Sequence, residues 1–301
     1  MPSLQSVRRK IASVKKTQKI TKAMKMVAAA KLKRFQNRIL AARPYALKMR
    51  ETIRNLSRRV NREAHPLLRK RESAPPHVVL TVVTSDRGLC GAFNTNILRT
   101  AITALKEFES RGAQVEVLVI GRKGRDFFRR RAWKVRREVV DLFDKLTFEH
   151  GMLLGSELQA VDDYIAGKID AVYVIYNEFK SAIQQRVVVE KLLPIDWLVE
   201  ISDAKDLDRT TETMPGAYLY EPSEDELLNE LLHRNFHVQS YRILLESTAA
   251  EQGARMAAMD GATRNAGELI NKLTIYYNKT RQAAITRELM DIVGGAEALN
   301  S

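Results

Sequence analysis

From Ala28 onward the apolar side chains recur at Leu32, Phe35, Ile39, Ala42, Ala46, Met49, Ile53, Leu56 and Val60, with gaps that alternate between four and three residues. That spacing is the seam of a coiled coil, where each apolar knob needs a facing helix to receive it. Leu4, Val7, Ile11 and Val14 hold the same spacing ahead of it, and Ile20, Met24 and Val27 continue it after a small phase shift. No glycine precedes Gly88. A helix from near residue 3 to near residue 60 would be about 85 Å long, more than an ordinary small domain contains. Pro44 falls inside the pattern; it removes one hydrogen bond and bends the axis, so a local kink is expected there, not an end.

The same signal returns at the other end. After Pro222 there is no proline, and Leu228, Leu231, Leu232, Tyr241 and Leu245, then Met259, Ala262, Ala266, Leu269, Leu273 and Tyr276, repeat the helical spacing. A helix from about Ser223 to about Val293 would be about 105 Å long. Gly253, Gly261 and Gly267 each weaken it by about 1 kcal/mol relative to alanine, so it needs packing against a partner. The two amphipathic helices can bury their stripes on each other as an antiparallel pair. Past Tyr276 the seam positions become Thr280, Ala283 and Arg287, so the last turns should extend beyond the first helix. Ala283, Ala284, Ile285, Leu289, Ile292 and Val293 would give that tip an apolar surface.

Between the helices the period changes. Val78–Thr84, Val115–Ile120, Ala171–Tyr176 and Arg186–Val189 are short, β-branched and bounded by turn residues, as strands are. Thr95–Phe108 and Met152–Ile165 have helical spacing between them. Strands apolar on both faces and alternating with helices imply a mostly parallel sheet covered on both sides. The expected architecture is therefore α/β: a central Rossmann-like open domain with a long antiparallel coiled coil made by the N- and C-terminal helices. The expected divisions are residues 1–62, 63–221 and 222–301. His65–Pro76 reads as a linker, and Ser202–Met214, polar and mixed in charge, as a loop.

Charge is unevenly placed. Residues 1–71 carry 22 basic and 2 acidic side chains, while the whole chain has 50 and 36, so the excess of positive charge lies in the first helix and its exit. An acidic partner for that helix follows. Nucleic acid is one alternative, but only Phe35 and Tyr45 are aromatic in the first 60 residues, which leaves little for base stacking. No apolar run reaches the roughly 18 residues that a transmembrane helix needs. The lone Cys90 excludes an internal disulfide and fits a reducing compartment.

Four places could carry chemistry. Ser85–Gly91 follows a predicted strand, where open α/β sheets hold ligands, but it lacks both glycine-rich phosphate fingerprints and reads as a structural turn. Cys90 within it has no histidine nearby in sequence. The Gly121–Gly124 turn is a weak anion signal. His233 and His237 have zinc-ligand spacing, yet Arg234 stands where a metalloprotease needs Glu, and a solvated helix face is expected. Adjacent Asp162 and Asp163 point about 100° apart on a helix and cannot act as a pair. No catalytic residue, cofactor site or metal site is expected.

The residues also resemble a known family. IASVKKTQKITKAMKMVAAAK at Ile11–Lys31, the Arg43-Pro44-Tyr45 step, SDRGLCGAFNTNI in the middle, and ATRNAGELINKLTIYYNKTRQAAITRELMDIVG at Ala262–Gly294 look like the gamma subunit of F-type ATP synthases. The resemblance covers nearly the whole chain. It implies a central-stalk rotor with no chemistry of its own, turning inside a ring of alpha and beta subunits, standing on the membrane c ring, and meeting the epsilon subunit. Proton flow would turn it and so drive the beta catalytic sites. It also implies a peripheral position on the cytoplasmic face of a bacterial membrane, with no nucleic acid and no cofactor. The motif begins at the start of the chain, which favours a bacterial protein over an organellar precursor. With only Cys90, the thiol switch of the chloroplast members is not expected.

Site residues carry over by position. Met24 and Lys25 match the place that faces the acidic lever segment of beta. Arg281, Gln282, Thr286 and Glu288 match contacts of the C-terminal helix with beta, and Arg255 a position linked to coupling. Tyr218 and Tyr220 fall in the foot region that meets the c ring and epsilon.

Overall fold

In the computed structural model, residues 4–57, 65–69, 71, 74–143, 146–148, 160–181, 184–195, 221 and 223–300 are described, with residues 291 and 294–300 as backbone only. Helix α1 spans Leu4–Ser57, continuous through Pro44. Its seam is the one the spacing predicts in its second half, where Ala28, Leu32, Phe35, Met49, Ile53 and Leu56 are buried. Val60 lies outside the described residues.

The first half corrects the expectation. Ile20 and Val27 are 59% and 58% exposed, while Val7, Thr21 and Ala28 are buried and Gln18 and Lys25 are half-buried. The seam therefore runs 4, 7, 11, 14, 18, 21, 25, 28 with no phase shift. The reading by apolar residues alone stepped onto the outer face because three successive seam positions are polar.

Strands β1 (His77–Val83), β2 (Gln114–Ile120), β3 (Val135–Val139), β4 (Ala171–Phe179) and β5 (Gln185–Leu193) form one sheet in the order β3-β2-β1-β4-β5. All pairings are parallel except β4 with β5, which is antiparallel. Helices α2 (Phe93–Ser110), α3 (Arg122–Phe128) and α4 (Ala160–Ile165) connect them. The earlier part of the helix predicted over Met152–Ile165 lies outside the described residues. β3 and α3 were not expected, and β5 is longer than expected. The core joins Ile97, Ala101 and Leu105 of α2 to Leu80, Val82, Val117, Val119 and Ile175 of the sheet, all fully buried. The central strands β1 and β2 end in unbroken buried runs, as a covered parallel sheet requires.

Helix α5 spans Glu224–Asn300. Ser223 Oγ accepts a hydrogen bond from the Glu226 amide at 3.2 Å, an N-terminal cap supported by Glu224, Asp225 and Glu226 in the first turn. The helix starts where the sequence predicts and runs past the predicted end. Its seam also differs by one residue in places: Leu269 and Tyr276 are exposed, whereas Ile270 and Tyr277 are half-buried.

The chain divides into two compact units, residues 1–29 with 255–301, and residues 30–254. In the second, Gly121 after β2 sits at φ 97°, and a Cβ there would lie 2.2 Å from the Thr84 carbonyl oxygen. Gly121→Ala should destabilise this unit by more than about 3 kcal/mol, because left-handed strain and overpacking add. Urea unfolding of the purified chain followed by circular dichroism measures it.

Candidate functional site

The loop at the C-terminal end of β1 lies at the place where ligands enter open α/β sheets. Here its polar groups are spent on one another. Thr84 Oγ1 donates to the Ile120 carbonyl at 3.0 Å and accepts from the Gly124 amide at 2.8 Å. The Ser85 amide donates to Asn94 Oδ1 at 3.0 Å, and Ser85 Oγ donates to the Arg87 carbonyl at 2.7 Å. Asn94 Nδ2 donates to Ser85 Oγ at 2.8 Å and to the buried Cys90 Sγ at 3.2 Å. Asp86 accepts from the Arg122 amide at 2.9 Å. The Ser85, Arg122 and Gly124 amides thus have acceptors within the turn, and these bonds hold β1, β2 and α3 together.

Asp163 is buried and paired with Arg136 and, at 3.0 Å, with Lys168. Asp162 is exposed. They act apart, as their helical spacing requires. His233 and His237 are half-buried instead of fully solvated, and among the described residues no cluster of metal-ligating side chains forms.

The unit made of residues 1–29 and 255–301 holds the candidate contact residues of the two long helices. There α1 and α5 run antiparallel, and their seam carries a polar layer. Thr21 and Thr263 hydroxyls lie 2.8 Å apart, Gln18 Nε2 donates to the Thr263 carbonyl at 3.4 Å, and Lys25 Nζ lies 2.6 Å from Asp260 Oδ1. The Lys25 ammonium, through hydrogen bond and charge, holds the Asp260 carboxyl below its usual range. Lys25 is thus engaged within the helix pair. Met24 beside it is half-buried. Arg255 is buried.

Extending that register outward at equal rise places Leu4 opposite about residue 280. Beyond it Arg281, Gln282, Thr286 and Glu288 are all exposed, as are Ile285, Leu289, Ile292 and Val293. The expected apolar tip is present, and the structure groups these four polar candidates on it, past the end of α1. Tyr218 and Tyr220 lie outside the described residues. The polar layer at Gln18, Thr21, Asp260 and Thr263 was missed from the sequence, though the heptad count through Val14 and Ala28 points to it.

Together these features define a mixed α/β protein whose two terminal helices pair as a coiled coil and leave one apolar helix end uncovered. A family model described as ATP synthase matches residues 3–299. The ATP synthase gamma chain of Anaeromyxobacter sp. (strain K) is 47% identical, with 99% of this chain and 100% of that one aligned. That of Chloroherpeton thalassium is 46% identical over 99% of both. This chain belongs to the ATP synthase gamma chain family. Among solved structures, the central stalk and c-ring of Tetrahymena thermophila mitochondrial ATP synthase is similar at 28% identity and TM-score 0.58, over 81% of this chain and 99% of the other. A chain of the Euglena gracilis mitochondrial enzyme, 20% identical, shares the fold at TM-score 0.66, over 98% and 94%.

The histidines give a test of the second unit. Burial lowers the pKa of both His65 and His237, and the neighbouring His233 lowers each further, against the hydrogen bond of Asn229 and the charge of Asp225 at His65. His65 Nδ1 accepts the Leu67 amide at 3.3 Å, a bond that protonation removes. A lowered folded pKa means the unfolded chain binds more protons, so stability is full above the unfolded value of 6.5 and is lost as pH falls below it. The unfolding temperature should therefore drop between about pH 7.5 and about pH 5.5, and His65→Gln with His237→Gln should flatten the slope, by differential scanning fluorimetry.

Proposed function

We propose that this chain is the central-stalk rotor of a bacterial proton-translocating ATP synthase, coupling rotation of a membrane c ring to conformational change at the beta catalytic sites. Full-length membership of the gamma chain family carries the reading. The helix pair with its uncovered tip supports it. A shaft must turn inside its ring with few directional contacts, and an end lined by Ala283, Ile285, Ile292 and Val293 offers weak, interchangeable ones. The gamma chain performs no chemistry itself; it works by presenting different faces to the alpha and beta subunits in turn, and so also governs ATPase activity and proton flow. No helix among the described residues is long and apolar enough to cross a membrane, which suits a peripheral subunit held by its partners at the cytoplasmic face.

In this reading the parts are the N-terminal helix (1–62), the central domain with its foot loop (63–221) and the C-terminal helix with its tip (222–301). Met24, Lys25, Arg281, Gln282, Thr286 and Glu288 meet beta, Arg255 serves coupling, and Tyr218 and Tyr220 meet the c ring or epsilon. The partner of the basic first helix is acidic protein. Long-range attraction of this kind steers and holds without fixing one geometry.

A tagged chain purified from native membranes stripped at low ionic strength should co-elute with two larger subunits and ATPase activity. Recovery alone, or with nucleic acid released by salt, would refute the rotor. Within the complex, Met24→Lys adds a cation opposite acidic beta residues, and unlike Lys25 it has no Asp260 to neutralise it. The attraction should tighten and coupling fall, read as proton pumping relative to ATP hydrolysis in inverted membranes; an unchanged ratio would sink the contact assignment.

A further inference from the structure

Within residues 30–254, helix α5 faces the β4–β5 edge of the sheet across a cleft of about 600 Å³, lined by Ile39 and Ala46 of α1, Val188 of β5, and Tyr241 and Leu245 of α5 among others. Apolar packing does not fill that gap. One guanidinium spans it. Arg242 Nη2 reaches Glu190 Oε1 on β5 at 2.6 Å, and its Nη1 reaches the Tyr176 hydroxyl on β4 and Glu246 Oε1 one turn along α5, each at 3.2 Å. Its Nε donates to Gln239 Oε1 at 2.7 Å, and Tyr176 donates to the other oxygen of Glu190 at 2.8 Å. All three nitrogens of the fork are used, and both strands and the helix contribute acceptors. The site is substantially enclosed: Tyr176 is buried, and burial, opposed by Arg242, raises the Glu246 carboxyl above its usual value.

Eight residues further on, Ala250 of α5 is fully buried in the core cluster beneath the sheet. Ile243, Leu244, Leu245 and Ala249 between them are buried as well, and such non-directional apolar contacts hold the helix down without fixing its setting against the strands. Arg242 adds a directional tie about 12 Å along the axis from Ala250.

We propose that Arg242 is a positioning residue of the rotor: with Glu190 and Tyr176 it fastens α5 to the sheet, so that rotation applied to the central domain passes to the helix without slack. The proposal rests on the rotor reading and adds to it the joint through which torque leaves the domain. Lysine does not replace the fork, because it lacks the planar, multidentate geometry.

The test uses the assembled complex in inverted membranes, comparing Arg242→Ala, Arg242→Lys and the exchange Arg242→Glu with Glu190→Arg. Arg242→Ala should keep ATP hydrolysis per assembled complex and lower proton pumping per ATP by at least about two-fold, with Arg242→Lys between and the exchange recovering part of the loss. Glu190→Gln, which keeps the shape of the site, gives the same reading should Arg242→Ala fail to assemble. An unchanged pumping ratio in Arg242→Ala or Glu190→Gln overturns the proposal. So does a loss that neither Arg242→Lys nor the exchange relieves, which would make Arg242 a space-filling residue only. A wild-type chain that fails to co-purify with ATPase subunits refutes the rotor reading instead, so the two failures are distinguishable.

Discussion

The seams of α1 and α5 depend on the two helices lying antiparallel where Gln18, Thr21 and Lys25 meet Thr263 and Asp260. Each fully buried leucine or isoleucine of such a seam contributes roughly 1.5–3 kcal/mol, whereas an isolated amphipathic helix in water is marginal. The residues that meet come from opposite ends of the sequence, as the Thr21–Thr263 contact shows. The loop entropy of bringing them together grows only slowly with the length of chain between, and here that chain folds into a sheet of its own. The central sheet is thus also the connection that returns the chain to its start.

That sheet has the strand order of an open α/β domain, with an antiparallel strand at one edge. Its strand ends close on one another at Thr84, Gly121 and Gly124. The backbones after β1 and β2 approach so closely that Thr84 Oγ1 bridges the Ile120 carbonyl and the Gly124 amide. A fold of this class does not by itself imply a ligand, and here these three residues serve the packing of the strand ends.

Much of this was legible in the sequence, for reasons that also explain what was not. Long helices announce themselves through period, and β1, β2 and β4 through runs rich in β-branched residues, which covered parallel strands favour. The failures fall where burial is partial. β3 is an edge strand read as Val-Arg-Arg-Glu-Val, where charge hides the alternation, and β5 is an edge strand whose outer residues blur its ends. In the helices the difficulty is one of phase: Ile20 and Val27 are apolar yet lie outside the seam, while Thr21 and Lys25 occupy it. The exposed tip was legible from the unequal helix lengths. The Arg242 joint was not, because its members Tyr176, Glu190 and Arg242 are scattered over three elements and no local pattern connects them.

The polar layer has a consequence for how this helix pair carries load. Lys25 and Asp260 are substantially solvated, so their bond adds little to stability. Its effect is on position. Sliding α1 by one heptad in either direction would set Lys25 across from Gly253 or Gly267 and Thr21 across from Met256 or Ile270, so both the Lys25–Asp260 and the Thr21–Thr263 pairs would be lost. An all-apolar seam would resist such a slip only weakly, since one set of methyl groups fits much like the next. A single charged rung therefore works as a key in a keyway: it barely tightens the joint, but it leaves the two helices one setting along their common axis.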